Sequence, residues 1–168
     1  MRSPLLATVV DRLSNDEFDV KKEAAWVIAN ILHGFAAEAS ATNASRATTL
    51  VTLGVIPGMV KMLEVNDAAM QKLMLEAVGT LFEAGEVLAR SKGGDNPFLV
   101  PFDEAEGVDK LEALQEHTNE EIYEKAVELL EKHFGEDDAD DENLLPNTAG
   151  DGFTFGGAMP QAQMGFAF

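Results

Sequence analysis

The chain contains no cysteine among its 168 residues, which removes disulfides and thiolate zinc sites together and suits a reducing compartment. Basic side chains are scarce, with 12 Lys and Arg against 30 Asp and Glu, for a formal net charge of −18. That balance repels phosphates and excludes nucleic acid as a natural partner; a cationic peptide or protein surface is the natural complement. No apolar run approaches the ~18 residues a spanning helix needs, and residues 1–20 carry no signal-peptide pattern, so a soluble, intracellular protein with no membrane partner is expected. Recognisable catalytic spacing is also lacking: there is no Ser–His–Asp, Cys–His or phosphate-loop pattern. The three histidines have no metal-ligand spacing. The expectation is a protein that is not an enzyme and carries no cofactor or metal.

What is present is helical periodicity. Ser3 can cap a helix whose first residue is Pro4, with Leu5, Leu6, Val9, Val10 and Leu13 on one face. A second helix is expected from about Asp19 to His33, closed by Gly34, with Ala24, Ala25, Val27, Ile28 and Ile31 turned inward. Residues 35–44 read as a loop. The pattern resumes from Ser45 to Leu53, stops at Gly54, and continues through Val55–Leu63 and then Ala68 to about Arg90. Beyond the glycine-rich connection 91–97 the same series returns, as Phe98–Ala105, then Val108–Gln115 after Gly107, then Glu120–Phe134 capped by Asn119. Met59, Met62, Met70 and Met74 read as core filler.

Leu53-Gly54-Val55-Ile56 matches Glu106-Gly107-Val108-Asp109, and Asn66-Asp67 matches Thr118-Asn119. Helical self-similarity of this kind predicts a solenoid, in which each unit buries its apolar face by stacking on the next. The fold class is therefore all-α, a solenoid of armadillo-type or related helical repeats, about two and a half of them over 1–135, with units near 1–34, 45–90 and 97–135. The 53-residue spacing of the glycines exceeds the ~40–47 usual for such repeats, and the 91–97 connection supplies much of the excess. Residues 136–168 open with six acids in seven positions and continue in Gly, Ala, Gln, Pro and paired Phe, a composition expected to stay disordered.

The candidate binding residues lie on the second helix. Glu23, Trp26 and Asn30 sit at i, i+3 and i+7 and share one face. The indole of the only tryptophan offers a wall for a lysine or arginine stem, worth about 0.5–2 kcal/mol in cation–π attraction. An amide one turn on can both donate to and accept from an extended backbone, and Glu23 can receive a charged head. On the third helices of the later units Trp26 is matched by Glu76 and Glu128, and Asn30 by Thr80 and Lys132, so the pair occurs once and peptide binding is expected to be weak. The charge excess lies beyond residue 53, where 24 acids face seven basic residues. Glu112, Glu116, Glu120, Glu124 and Glu131 mark the third unit as a surface for a basic partner.

The segment Lys21-Lys22-Glu23-Ala24-Ala25-Trp26-Val27-Ile28-Ala29-Asn30, followed by Leu53-Gly54-Val55-Ile56-Pro57, Gly107-Val108-Asp109-Lys110-Leu111-Glu112-Ala113-Leu114-Gln115, Ile122-Tyr123 and Glu131-Lys132-His133-Phe134-Gly135, resembles the C-terminal end of importin-α. The resemblance spans roughly residues 3–168. It implies an adaptor that shuttles between cytoplasm and nucleus and binds nuclear localisation signals through Trp–Asn pairs, with Glu23, Trp26 and Asn30 in the smaller, C-terminal signal site. It further implies contact of the last repeats with the recycling exportin in its Ran-GTP form and with a nucleoporin. Importin-β binds family members through a basic N-terminal arm that does not lie in these residues, so the chain reads as a fragment whose first apolar face would meet water. The alternative is a free-standing armadillo scaffold with no transport role.

Overall fold

The computed structural model describes residues 4–36 and 41–135; the expectations for Ser3 and for the tail from 136 lie outside the described residues. Eight helices and no strand occur among them: α1 (Pro4–Asn15), α2 (Phe18–Ala36), α3 (Ala41–Thr52), α4 (Val55–Leu63), α5 (Ala68–Lys92), α6 (Leu99–Glu104), α7 (Gly107–Leu114) and α8 (Glu120–Phe134). The all-α armadillo reading holds. α2, α5 and α8 are the third helices of successive units and pack side by side; α1, α4 and α7 form the adjacent row of second helices.

Capping chemistry sets the register. The Asp67 carboxylate accepts from the Met70 amide at 3.1 Å, and the Asn119 side chain accepts from the amides of Glu121 and Ile122 at 3.1 and 3.4 Å. Left-handed backbone before the second helices falls at Gly54 (φ 85°) and Glu106 (φ 63°). Gly54 therefore corresponds to Glu106, not Gly107. The structural period is 52 residues both there and between the caps Asp67 and Asn119, one fewer than the glycine match predicts.

Gly107 opens α7 rather than stopping α6, and it is glycine because of close approach. A Cβ there would lie 2.4 Å from the Phe102 ring. Gly34 likewise does not close α2, which continues to Ala36, and α3 begins at Ala41 instead of Ser45. One interior glycine costs a helix about 1 kcal/mol, which tertiary packing of a long helix readily outweighs.

The inward stripe of α2 is Ala24, Ala25, Ile28, Ala29 and Leu32. Val27 is exposed, contrary to its expected burial, and Ile31 is half-buried. Leu5, Phe18 and Val20 are exposed as well, so α1 and α2 carry several apolar side chains open to solvent. Met59, Met62, Met70 and Met74 are buried, as core filler should be.

The second and third units are joined by an aromatic cluster. Phe82 of α5 meets Phe102 of α6 edge-on at 5.0 Å, and His133 and Phe134 of α8 at 4.9 and 5.8 Å. Such ring pairs contribute about 0.5–1.5 kcal/mol each beyond area burial. Asn96 folds the connection after α5 back onto that helix, donating to the Phe82 carbonyl at 2.8 Å and accepting from the Phe98 amide at 3.1 Å.

Gly107→Ala tests the close approach. Helix propensity alone favours Ala, but the Phe102 ring is buried in the cluster and cannot yield freely. The variant should lose about 1–3 kcal/mol in urea unfolding; a gain in stability would refute the packing account.

Candidate peptide groove and acidic third-unit surface

Glu23, Trp26 and Asn30 all project from the open side of α2, and Trp26 is 49% exposed although it is the largest side chain on the helix. Because Ala24, Ala25, Ile28, Ala29 and Leu32 already fill the core side, the indole is spare to the packing. His33, at i+7 from Trp26, continues the same face. Sequence reasoning placed His33 only at a helix end; the i+3 spacing from Asn30 was the available signal.

Lysine pairs stitch the row of third helices. Lys22 of α2 reaches the Asp67 carboxylate at 2.8 Å, and the equivalent Lys72 of α5 pairs with Glu121 of α8. The hydrogen bond to Asp67 raises the Lys22 ammonium above the usual lysine value, and the same bond, aided by the Met70 amide, lowers the Asp67 carboxyl. Farther along, Lys132 of α8 lies 3.7 Å from Glu83 of α5, and His33 Nε2 lies 3.6 Å from Glu76 of α5. Glu128, which matches Trp26 in the third unit, is held by Lys125 at 2.8 Å.

The acidic residues of the third unit are all exposed, and the structure brings only some of them together. Glu112 of α7 and Glu131 of α8 flank an open groove of about 440 Å³ whose floor is Val108, Leu130 and Phe134. Glu120, Glu124 and Glu131 share one face of α8 by their spacing, whereas Glu116 lies beyond the end of α7. Among the described residues no cluster of His, Asp and Glu could hold a metal ion, and no helix is long and apolar enough to cross a membrane.

A family model described as an atypical Arm repeat matches residues 96–147. Importin subunit alpha-1b of Oryza sativa subsp. japonica is 36% identical over 117 residues, covering 69% of this chain and 22% of the relative. Importin subunit alpha-3 of Arabidopsis thaliana is 36% identical over 123 residues (70% and 23%), and importin subunit alpha of Saccharomyces cerevisiae is 33% identical over 116 (67% and 21%). The chain belongs to the importin-α armadillo family. It spans about a fifth of the length of these importin-α relatives.

One titrating group sits inside the packing of this importin-α segment. The His133 side chain is 3% exposed, its Nδ1 lies 3.5 Å from Glu86, and its buried Nε2 has no hydrogen-bond partner. Burial, and then Lys132, hold the ring below the ordinary histidine value, opposed by Glu86, Glu83 and Glu128. The unfolded chain therefore binds a proton that the folded chain resists. This contribution is in place above the ordinary value of 6.5 and is lost as the pH falls through the lower, folded one. His133→Phe should lose less stability than the native chain between pH 7.5 and 5.5 in urea titrations. Equal losses would show that His133 is not a source of the acid sensitivity.

Proposed function

We propose that the chain acts as an importin-α-type adaptor segment. Glu23, Trp26 and Asn30 supply one rung for a basic nuclear localisation signal, and the acidic third unit meets a basic docking surface on a transport partner. The observation that carries the reading is the half-exposed Trp26 between Glu23 and Asn30, on a helix whose core is complete without it. A lysine stem lies along the indole, its ammonium is drawn to Glu23, and Asn30 bonds the extended backbone. The partners that fit the third unit are the recycling exportin with Ran-GTP and a nucleoporin, steered by Glu112, Glu116, Glu120, Glu124 and Glu131. Such a protein would shuttle between cytoplasm and nucleus, and importin-β would enter only through an arm outside these residues.

Binding of a lysine-rich signal peptide should be weak and fall further as salt rises, because exposed charges are screened. Trp26→Ala should lower affinity about 2- to 30-fold, the loss of one cation–π contact. Affinity indifferent to salt and to Trp26 would place the peptide elsewhere. For the acidic surface, Glu120→Lys with Glu124→Lys should slow association with exportin and Ran-GTP, more at low salt than at high. No complex at micromolar concentration, or one with unchanged on-rate, would remove the exportin from the proposal.

A further inference from the structure

The cross-helix ion pairs along the third-helix row differ in their cations. Asp67, Glu121 and Glu83 face the ammonium groups of Lys22, Lys72 and Lys132. Glu76 faces His33, and histidine is the residue type whose charge changes between pH 5 and 8. This pair is on the peptide face: His33 continues the line of Trp26 and Asn30, and Glu76 occupies on α5 the register position that Trp26 occupies on α2.

His33 Nδ1 lies 3.0 Å from the Ala29 carbonyl. A carbonyl oxygen only accepts, so this contact is a hydrogen bond in the tautomer that carries its hydrogen on Nδ1. In the neutral ring Nε2 is then a bare lone pair turned toward the Glu76 carboxylate, which it cannot bind. Only the imidazolium has a hydrogen at Nε2 for Glu76. The 3.6 Å separation and the exposure of both side chains, 44% and 58%, leave the pair open to water and to a competing ligand cation.

Several other charges on the elements packed against α2 have partners of their own: Asp11 of α1 accepts from Asn15, and Arg90 of α5 pairs with Glu86. Arg12 of α1 pairs with Asp16 at 2.5 Å, Arg46 of α3 bonds Asn43, and Lys72 and Glu83 of α5 are drawn toward α8.

Resting on the groove reading above, we propose that His33 and Glu76 form a proton-operated brake on basic peptides. When protonated, the ring takes up the Glu76 carboxylate and adds a positive charge to the Trp26–Asn30 face; when neutral, it leaves Glu76 to a lysine or arginine of the ligand. The effect is modest because both groups are exposed, and affinity should fall about two- to fivefold from pH 7.5 to 5.5.

The test uses the full chain and a Lys/Arg peptide without His, Asp or Glu, blocked at both ends, in calorimetric titrations at fixed ionic strength. The native chain should bind more weakly at pH 5.5, His33→Gln should bind equally at both values, and Glu76→Gln should bind weakly at both. A full pH difference retained in His33→Gln overturns the brake while leaving the groove intact. A peptide that ignores Trp26→Ala, or does not bind at all, overturns the groove and the brake with it. Ring nitrogen shifts of neutral His33 give a readout without peptide: the hydrogen should be on Nδ1, and a dominant Nε2–H form would remove the basis of the brake.

Discussion

No unit of this chain closes its own core. The apolar side of α5 is covered by α2 on one flank and α8 on the other, so burial of Met74, Val78, Leu81 and Phe82 depends on neighbours fifty residues away in either direction. Local helix signals determine what is helical, but the hydrophobic effect rewards those helices only when they stack. The ring cluster around Phe82 and the fold-back of Asn96 are how the second unit completes this with the third.

Stacking also produces the binding face. With α2, α5 and α8 side by side in register, the side of each not needed for packing lines up with its neighbours and carries exposed Trp26, Glu76 and Glu128 at matching positions. The field along that row is less negative than the composition implies. Lysines already engage Asp67, Glu121 and Glu128. Glu120 and Glu124 of α8 have no such partners among the described residues and add to the negative potential that an approaching protein meets.

Much of this was legible in the residues. Asp67 and Asn119 announce helix starts by side-chain oxygens that can bond the first free amides, and the alternation of apolar positions placed the helices between them. Glycine was less informative because two causes share one residue. Gly54 is needed for left-handed backbone and Gly107 for contact with Phe102, and only the structure separates them. Glu106 takes the left-handed position without glycine, which is why the repeat period came out one residue long. Val27 was misjudged, and the approach of His33 to Glu76 missed, for a different reason: periodicity identifies a face, but the width of that face and what lies across from it belong to tertiary packing.

Asp67 divides its carboxylate between two tasks. One oxygen holds the Met70 amide at the start of α5, and the other holds Lys22 of the unit before. The cap of one unit is thus completed by the unit ahead of it, and the same carboxylate belongs to both a local and a nearest-neighbour interaction. If α2 detaches, the pair is lost and the first turn of α5 is left with an unpartnered charge in place of a shared one. Melting at one end is therefore felt at the first turn of the next unit's long helix, as a nearest-neighbour term between the two repeats.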